Sequence, residues 1–208
     1  DGTLTTGLSR TMTAATGIDA LSHAVEAYIS LFADYFPSDK QAAKNACKMI
    51  FENLCAVCSD LQNLQLRRNM LYSAMEAGKA FRCISTGYVH AVAHRLGEMY
   101  HLPHGVCIAF CFSAVLRAYL PYAEKQLAEL SVYCGFAEEN TESTVAANEF
   151  INRIDDLIIH LQLLPKVCFD ASDADSIVLR AQDEAKSLGY PRPFSDEELK
   201  DIVLKILS

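Results

Sequence analysis

The sequence predicts an all-α fold, and three observations carry that reading. No segment sustains the apolar–polar alternation and β-branched enrichment of a half-buried strand. The Ala, Leu and Met content supports helix, since all three residues favour it. Apolar positions return at three- and four-residue intervals, the period of a buried helical face. At 208 residues and 51% hydrophobic content, the chain is long enough to bury a full core as one or at most two domains. It shows no internal repeat and no low-complexity linker, so one helical, bundle-like domain over residues 1–208 is expected.

In chain order, residues 1–13 form a polar, Thr-rich lead-in. Thr13 or Thr16 is placed to cap a first helix, with Gly17 marking its entry. Over residues 18–32, Ile18, Leu21, Val25, Tyr28, Ile29 and Phe32 share one helical face. Asp19, His23, Glu26 and Ser30 share another, and Ala20, Ala24 and Ala27 fill much of what remains. No Lys or Arg occurs between Arg10 and Lys40, so this helix has no ordinary solvated face. Burial all round would put an acid and a histidine inside without a local cation. That is costly unless something positive sits between them.

Pro37, Ser38 and Asp39 open a second helix running to about residue 60, and a third spans roughly 66–84. Met70, Ala74, Ala77, Ala80 and Phe81 suit its packing face. A Ser-Thr-Gly step at 85–87 leads into a histidine-rich helix that Pro103 interrupts. His104 and Gly105 then start another apolar helix through residue 118. Segments 121–134, 142–163 and 171–188 read as further amphipathic helices. Ser195 with Glu198 forms a capping box for a last helix over 196–207.

Composition limits the partners. A formal net charge of −8 weighs against nucleic acid and anionic membrane, which both demand a basic face. No apolar run approaches the ~20 residues of a membrane span, and no signal-peptide pattern opens the sequence. Eight cysteines without regular spacing read as buried free thiols of a reducing cytoplasm. The sequence opens on Asp1 with no methionine, so a fragment or dissected domain is expected.

The chemistry concentrates in residues 87–105, GYVHAVAHRLGEMYHLPHG, which hold four of the six histidines: His90, His94, His101 and His104. Asp19 and His23, four apart on a helix, project from one face. His90 and His94 repeat that geometry, and His104 follows a proline at the start of a third helix. A carboxylate with imidazoles suits Fe²⁺ or Zn²⁺ and does not suit Ca²⁺ or Mg²⁺. Two ligands from one helix and two from elsewhere make a tetrahedral set with room for a substrate oxygen. The competing reading has His23 and His90 as satisfied core histidines and Asp19 bonded to a backbone terminus. The residues alone leave both open.

Other candidates carry less. Glu98 and His101 resemble half of a di-iron carboxylate site, but the second half is missing, so they read as an exposed helical pair. Cys55 and Cys58 have no partner pair for zinc or redox chemistry. Cys107 and Cys111 share a face with His104 and read as packing thiols. The nine glycines form neither GxGxxG nor a P-loop, and no serine nucleophile signature is present. Arg192, between Pro191 and Pro193, reads as a turn residue.

The run TAATGIDALSHAVEAYIS at 13–30, together with residues 87–105, resembles the C-terminal helical domain of the iron-containing alcohol dehydrogenases. The likeness extends to the DGTLTTGL opening, the LLPKV segment near Pro165 and the PRPFSDEEL close. It implies the C-terminal half of the dehydroquinate synthase-like fold shared by that family. It also implies that Asp19, His23, His90 and His104 hold Fe²⁺ or Zn²⁺, with His94 a catalytic neighbour concerned with proton transfer or orientation. The implied reaction is reversible hydride transfer between a small alcohol or aldehyde and NAD(P), with the metal polarising the substrate oxygen. The family's α/β cofactor-binding unit precedes this region, so the chain is expected to be the metal-binding half of an enzyme and inactive alone. Arg95 stands where the family has a proline, and a downstream proline is replaced near Ser113. A homo-oligomer is left open. The rivals are a non-catalytic metal-binding helical domain and a purely structural helical protein.

Overall fold

The computed structural model describes residues 1–164 and 167–207. Pro165 and Lys166 of the LLPKV segment lie outside the described residues. Among the described residues, eight α-helices follow one another: α1 Arg10–Ile29, α2 Pro37–Ser59, α3 Leu64–Phe81, α4 Tyr88–Tyr100, α5 His104–Cys134, α6 Ser143–Leu161, α7 Ala174–Ala185 and α8 Asp196–Leu207. Short 3-10 turns cover Gly2–Thr5, Ala33–Tyr35 and Ala171–Asp173, and there is no strand among the described residues. The expected all-α fold is borne out.

The first helix begins earlier than its sequence suggests. Ser9 is the cap, its Oγ accepting the Met12 amide at 3.2 Å. Thr13 is buried inside the helix and accepts a hydrogen bond from Arg67 at 2.8 Å. Thr16 donates back to the Met12 carbonyl at 2.9 Å, the usual mid-helix habit of a hydroxyl residue. Gly17 is not an entry either, since it lies in mid-helix against Leu54 of α2. Two threonines offered as caps, Thr13 and Thr16, hid the serine that does the capping. The helix also ends at Ile29, so Phe32 leaves the apolar stripe and stands half-exposed.

Helix α1 packs on α2, α3 and α5, so the core surrounds it. Ile18, Leu21, Val25 and Tyr28 are fully buried. Between residues 17 and 30 only Asp19 and His23 keep partial exposure. The lack of basic residues thus corresponds to near-complete burial, with one window left open.

Helices α2 and α3 pair closely, turned by Asn63, whose side chain accepts the Gln65 and Leu66 amides at 3.1 Å each. Helix α5 corrects the expectation of two separate segments. It runs on through Pro121, with only Ala123 out of helical geometry (φ −126°, ψ 16°). Proline removes one backbone donor and crowds the preceding turn, which kinks a helix without having to end it. The charged residues that break its apolar run in sequence hide another property. Among the described helices, α5 is long and apolar enough to cross a membrane by length and composition. It applies that surface to α1, α4 and α6.

All eight cysteines are free, but not all are buried as expected: Cys55 and Cys134 are partly exposed, and Cys83 and Cys168 lie on the surface. Cys107 and Cys111 are fully buried, and burial pushes both thiols up, Cys107 to about 11. They pack, as expected, without thiolate character. The last helix starts as its sequence dictates: Ser195 Oγ accepts the Glu198 amide at 3.2 Å, and Glu198 accepts the Ser195 amide at 2.8 Å.

Candidate metal centre

Three helices converge on one point. The window of α1 presents Asp19 and His23, α4 brings His90 and His94, and the first turn of α5 brings His104. Gly105 makes the last approach possible: a Cβ there would lie 2.4 Å from the Ala15 carbonyl oxygen, so any side chain would push α5 off α1.

Asp19 is the hub. Its Oδ1 lies 3.1 Å from His104 Nε2, 3.4 Å from His90 Nε2 and 3.9 Å from His23 Nε2. The donor atoms of Asp19, His23 and His90 all fall within 4.8 Å of one another. Ligand atoms on a tetrahedron with bonds of ~2.1 Å are about 3.4 Å apart, so these spacings suit a small divalent ion. The His23 ring is stacked between Phe81 (centroids 4.3 Å) and His90 (4.5 Å), which fixes its plane.

His90 carries the sharpest evidence. Its Nδ1 is 2.5 Å from Glu26 Oε2, and the other Glu26 oxygen accepts the Val89 amide at 2.8 Å. Glu26 is buried, so one carboxylate caps the start of α4 and holds the His90 ring. A carboxylate partner makes Nδ1 the donor, and the neutral ring then turns the lone pair of Nε2 toward Asp19. Nε2 is buried and has no hydrogen-bond partner. A buried lone pair facing a carboxylate is unfavourable unless a proton or a metal cation lies between them. The residues present therefore fit a metal.

The electrostatics agree. Burial pushes His90 down, but Glu26 and Asp19 outweigh it and hold the ring up to about 9. The point attracts positive charge, which a divalent cation can supply in place of a proton. Burial pushes His23 the other way, to about 4, with Asp19 only partly opposing it; that ring is neutral near pH 7, with a lone pair to donate. Burial also acts to raise Asp19, yet the neighbouring His104, His90 and His23 rings outweigh it and hold the carboxyl well below the usual carboxylate range.

His94 is set apart. Its side chain is 40% exposed, it stacks on His104 with centroids 5.1 Å apart, and its Nδ1 lies 2.6 Å from Glu184 Oε1 of α7. It borders the cluster without reaching Asp19. His101 is exposed and ends α4 in the left-handed region (φ 53°), and Glu98 pairs with Arg95 and Arg180; neither joins the cluster. Arg192 bonds Glu198 and lies 4.1 Å over the Tyr122 ring, a structural clamp on the start of α8. The sequence reading put Glu26 on the face of Asp19 and His23 but assigned it no task. The signal was its place two helical turns beyond Asp19.

Comparison with known proteins adds a family. Residues 13–207 match the Fe-containing alcohol dehydrogenase family, C-terminal part. Alcohol dehydrogenase 4 of Saccharomyces cerevisiae is 36% identical over 201 residues, covering 96% of this chain and 51% of that protein. The 1,3-propanediol dehydrogenase of Citrobacter freundii is 36% identical over 208 residues, covering 97% and 52%. The solved structure of a 1,3-propanediol oxidoreductase superimposes with a TM-score of 0.92 at 33% identity, covering 99% of this chain and 54% of that one. The alcohol dehydrogenase of Oenococcus oeni follows at 0.91 and 31%, covering 100% and 53%. The chain thus spans about half the length of the curated relatives it matches.

Proposed function

The chain belongs to the Fe-containing alcohol dehydrogenase family, with the fold of its C-terminal half, and from that premise we propose that it is the metal-binding half of an NAD(P)-dependent alcohol dehydrogenase. Asp19, His23, His90 and His104 hold the metal, Fe²⁺ or Zn²⁺, and the substrate is a small alcohol or aldehyde. The partnerless, buried Nε2 of His90 is the observation that carries this reading. The nicotinamide cofactor is assigned to the part of the relatives that this chain does not span, and the chain itself has no GxGxxG turn. A reducing cytoplasm is the compartment that eight free thiols suit.

A bound divalent metal supplies Lewis acidity to a substrate oxygen. The chain's residues prepare for it. Three neutral imidazoles and one carboxylate around a divalent ion would leave the site with net positive charge. Glu26 fixes the His90 tautomer, and Phe81 fixes the His23 plane. His94, half-exposed at the edge of the cluster, would take the hydroxyl proton of a bound alcohol and pass it to water, while a nicotinamide held by the rest of the enzyme would supply the hydride chemistry.

Cobalt substitution tests the ligand set. The chain loaded with Co²⁺ should show visible absorption of four-coordinate cobalt, lost in His90→Ala. An octahedral aqua-type spectrum in both proteins would refute the assignment.

A further inference from the structure

Among the histidines gathered here, His94 answers to a different carboxylate. Glu184 comes from α7, 90 residues on in sequence, and its Oε1 lies 2.6 Å from His94 Nδ1. Its other oxygen accepts Arg95 Nη2 at 3.0 Å. Arg95 Nη1 donates to Glu98 Oε2 at 2.9 Å, and Glu98 Oε1 accepts Arg180 of α7 at 2.6 Å. Charges of alternating sign on α4 and α7 thus interleave and end on the His94 ring.

Exposed ion pairs contribute little stability, so this chain of contacts is better read for what it orients. A neutral imidazole has one donor and one acceptor nitrogen. An ionised carboxylate only accepts, so Glu184 makes Nδ1 the donor and leaves Nε2 with the lone pair. No hydrogen bond reaches that Nε2 among the described residues. Arg95, which replaces the proline expected at this place, occupies the second oxygen of Glu184 and keeps the first turned to His94.

We infer that Glu184 is the positioning residue for His94, holding it in the Nδ1–H tautomer whose free Nε2 can take the substrate's hydroxyl proton, with Arg95 fixing Glu184 in turn. The inference rests on the reading of His94 as the proton-handling group. In that step the O–H bond breaks, its electron pair stays on oxygen, the proton forms a bond to Nε2, and water later removes it. Without Glu184 the ring can present Nε2–H instead, which cannot accept.

The tautomer can be read directly. Long-range ¹H–¹⁵N spectra of the zinc-loaded, ¹⁵N-histidine-labelled chain at mildly alkaline pH should show His94 with Nδ1 protonated and Nε2 bare. In Glu184→Gln, Arg95 draws the amide oxygen, the NH₂ faces His94, and the ring should convert to Nε2–H with metal content unchanged. Glu184→Asp, still acceptor-only, should keep the parent tautomer. An Nε2–H parent overturns the inference without any variant, and so does the parent tautomer persisting in Glu184→Gln. The same spectra of the metal-free chain separate this failure from failure of the metal reading, which would appear as absence of bound zinc.

Discussion

Glu26 Oε2 and His90 Nδ1 meet at 2.5 Å, both side chains 3% exposed. This buried contact between α1 and α4 is where fold and site are the same structure. The carboxylate that fixes the imidazole also accepts the Val89 amide in the first turn of α4, so helix start and ligand orientation cannot be separated. Gly87 makes room for it: a Cβ there would stand 2.7 Å from Glu26 Oε1.

Glu26→Gln should therefore weaken metal binding without removing a ligand. A carboxamide of nearly the same shape can still occupy the pocket, but its contact to Nδ1 loses charge and can reverse the donor. Removing such a supporting partner typically lowers metal affinity about 10–100-fold. Competition with a chromophoric chelator measures it, and an unchanged affinity would mean that Glu26 is only a helix cap.

Gly105→Ala tests the close approach of α5 to α1. The added Cβ meets backbone, the Ala15 carbonyl oxygen, which has no rotamer to move away. Overpacking of this kind costs about 1–3 kcal/mol, and it lifts His104 from Asp19. Both a lower denaturation midpoint in urea and weaker metal retention are expected; a variant as stable as the parent would contradict the packing described.

Acid stability should depend on Arg192 and Glu198. The Arg192 guanidinium, aided by the Ser195 amide, holds Glu198 down to about 2. Because the folded pKa lies below the ordinary glutamate value, the stabilisation is present above about pH 4.5 and is lost as pH falls through about 2. The Tm difference between parent and Arg192→Met should be steady at neutral pH and shrink across that acid window. A difference that grew with acid would have the wrong sign.

How much was legible in the sequence divides by range. Local signals held wherever one residue type stood alone. Pro37 opened α2 and the Ser195–Glu198 box opened α8 at the expected residues. They failed where candidates competed, as with Ser9 against Thr13 and Thr16. Proline at 121 also misled, because packing of α5 against its neighbours outweighs one lost hydrogen bond. Asp19 with His23, and His90 with His94, drew notice as pairs within single helices, and His104 as a histidine after a proline, but their division into ligands and catalytic neighbour came from the family resemblance and not from spacing. Glu184 was out of reach: it lies 90 residues from His94, on a helix whose own pattern shows only an ordinary acidic face. Arg95 was noticed as a departure, but its task depends on Glu184 and could not be read alone.

The central claim is that Asp19 and the three histidines enclose a metal ion. Elemental analysis of the freshly purified chain beside Asp19→Ala and His90→Ala tests it most directly, with circular dichroism to establish that each variant is folded. About one equivalent of iron or zinc per parent chain, and almost none in either folded variant, is the result this account predicts. Equal metal content in parent and variants, or a well-folded parent that takes up neither metal when it is supplied, would contradict it.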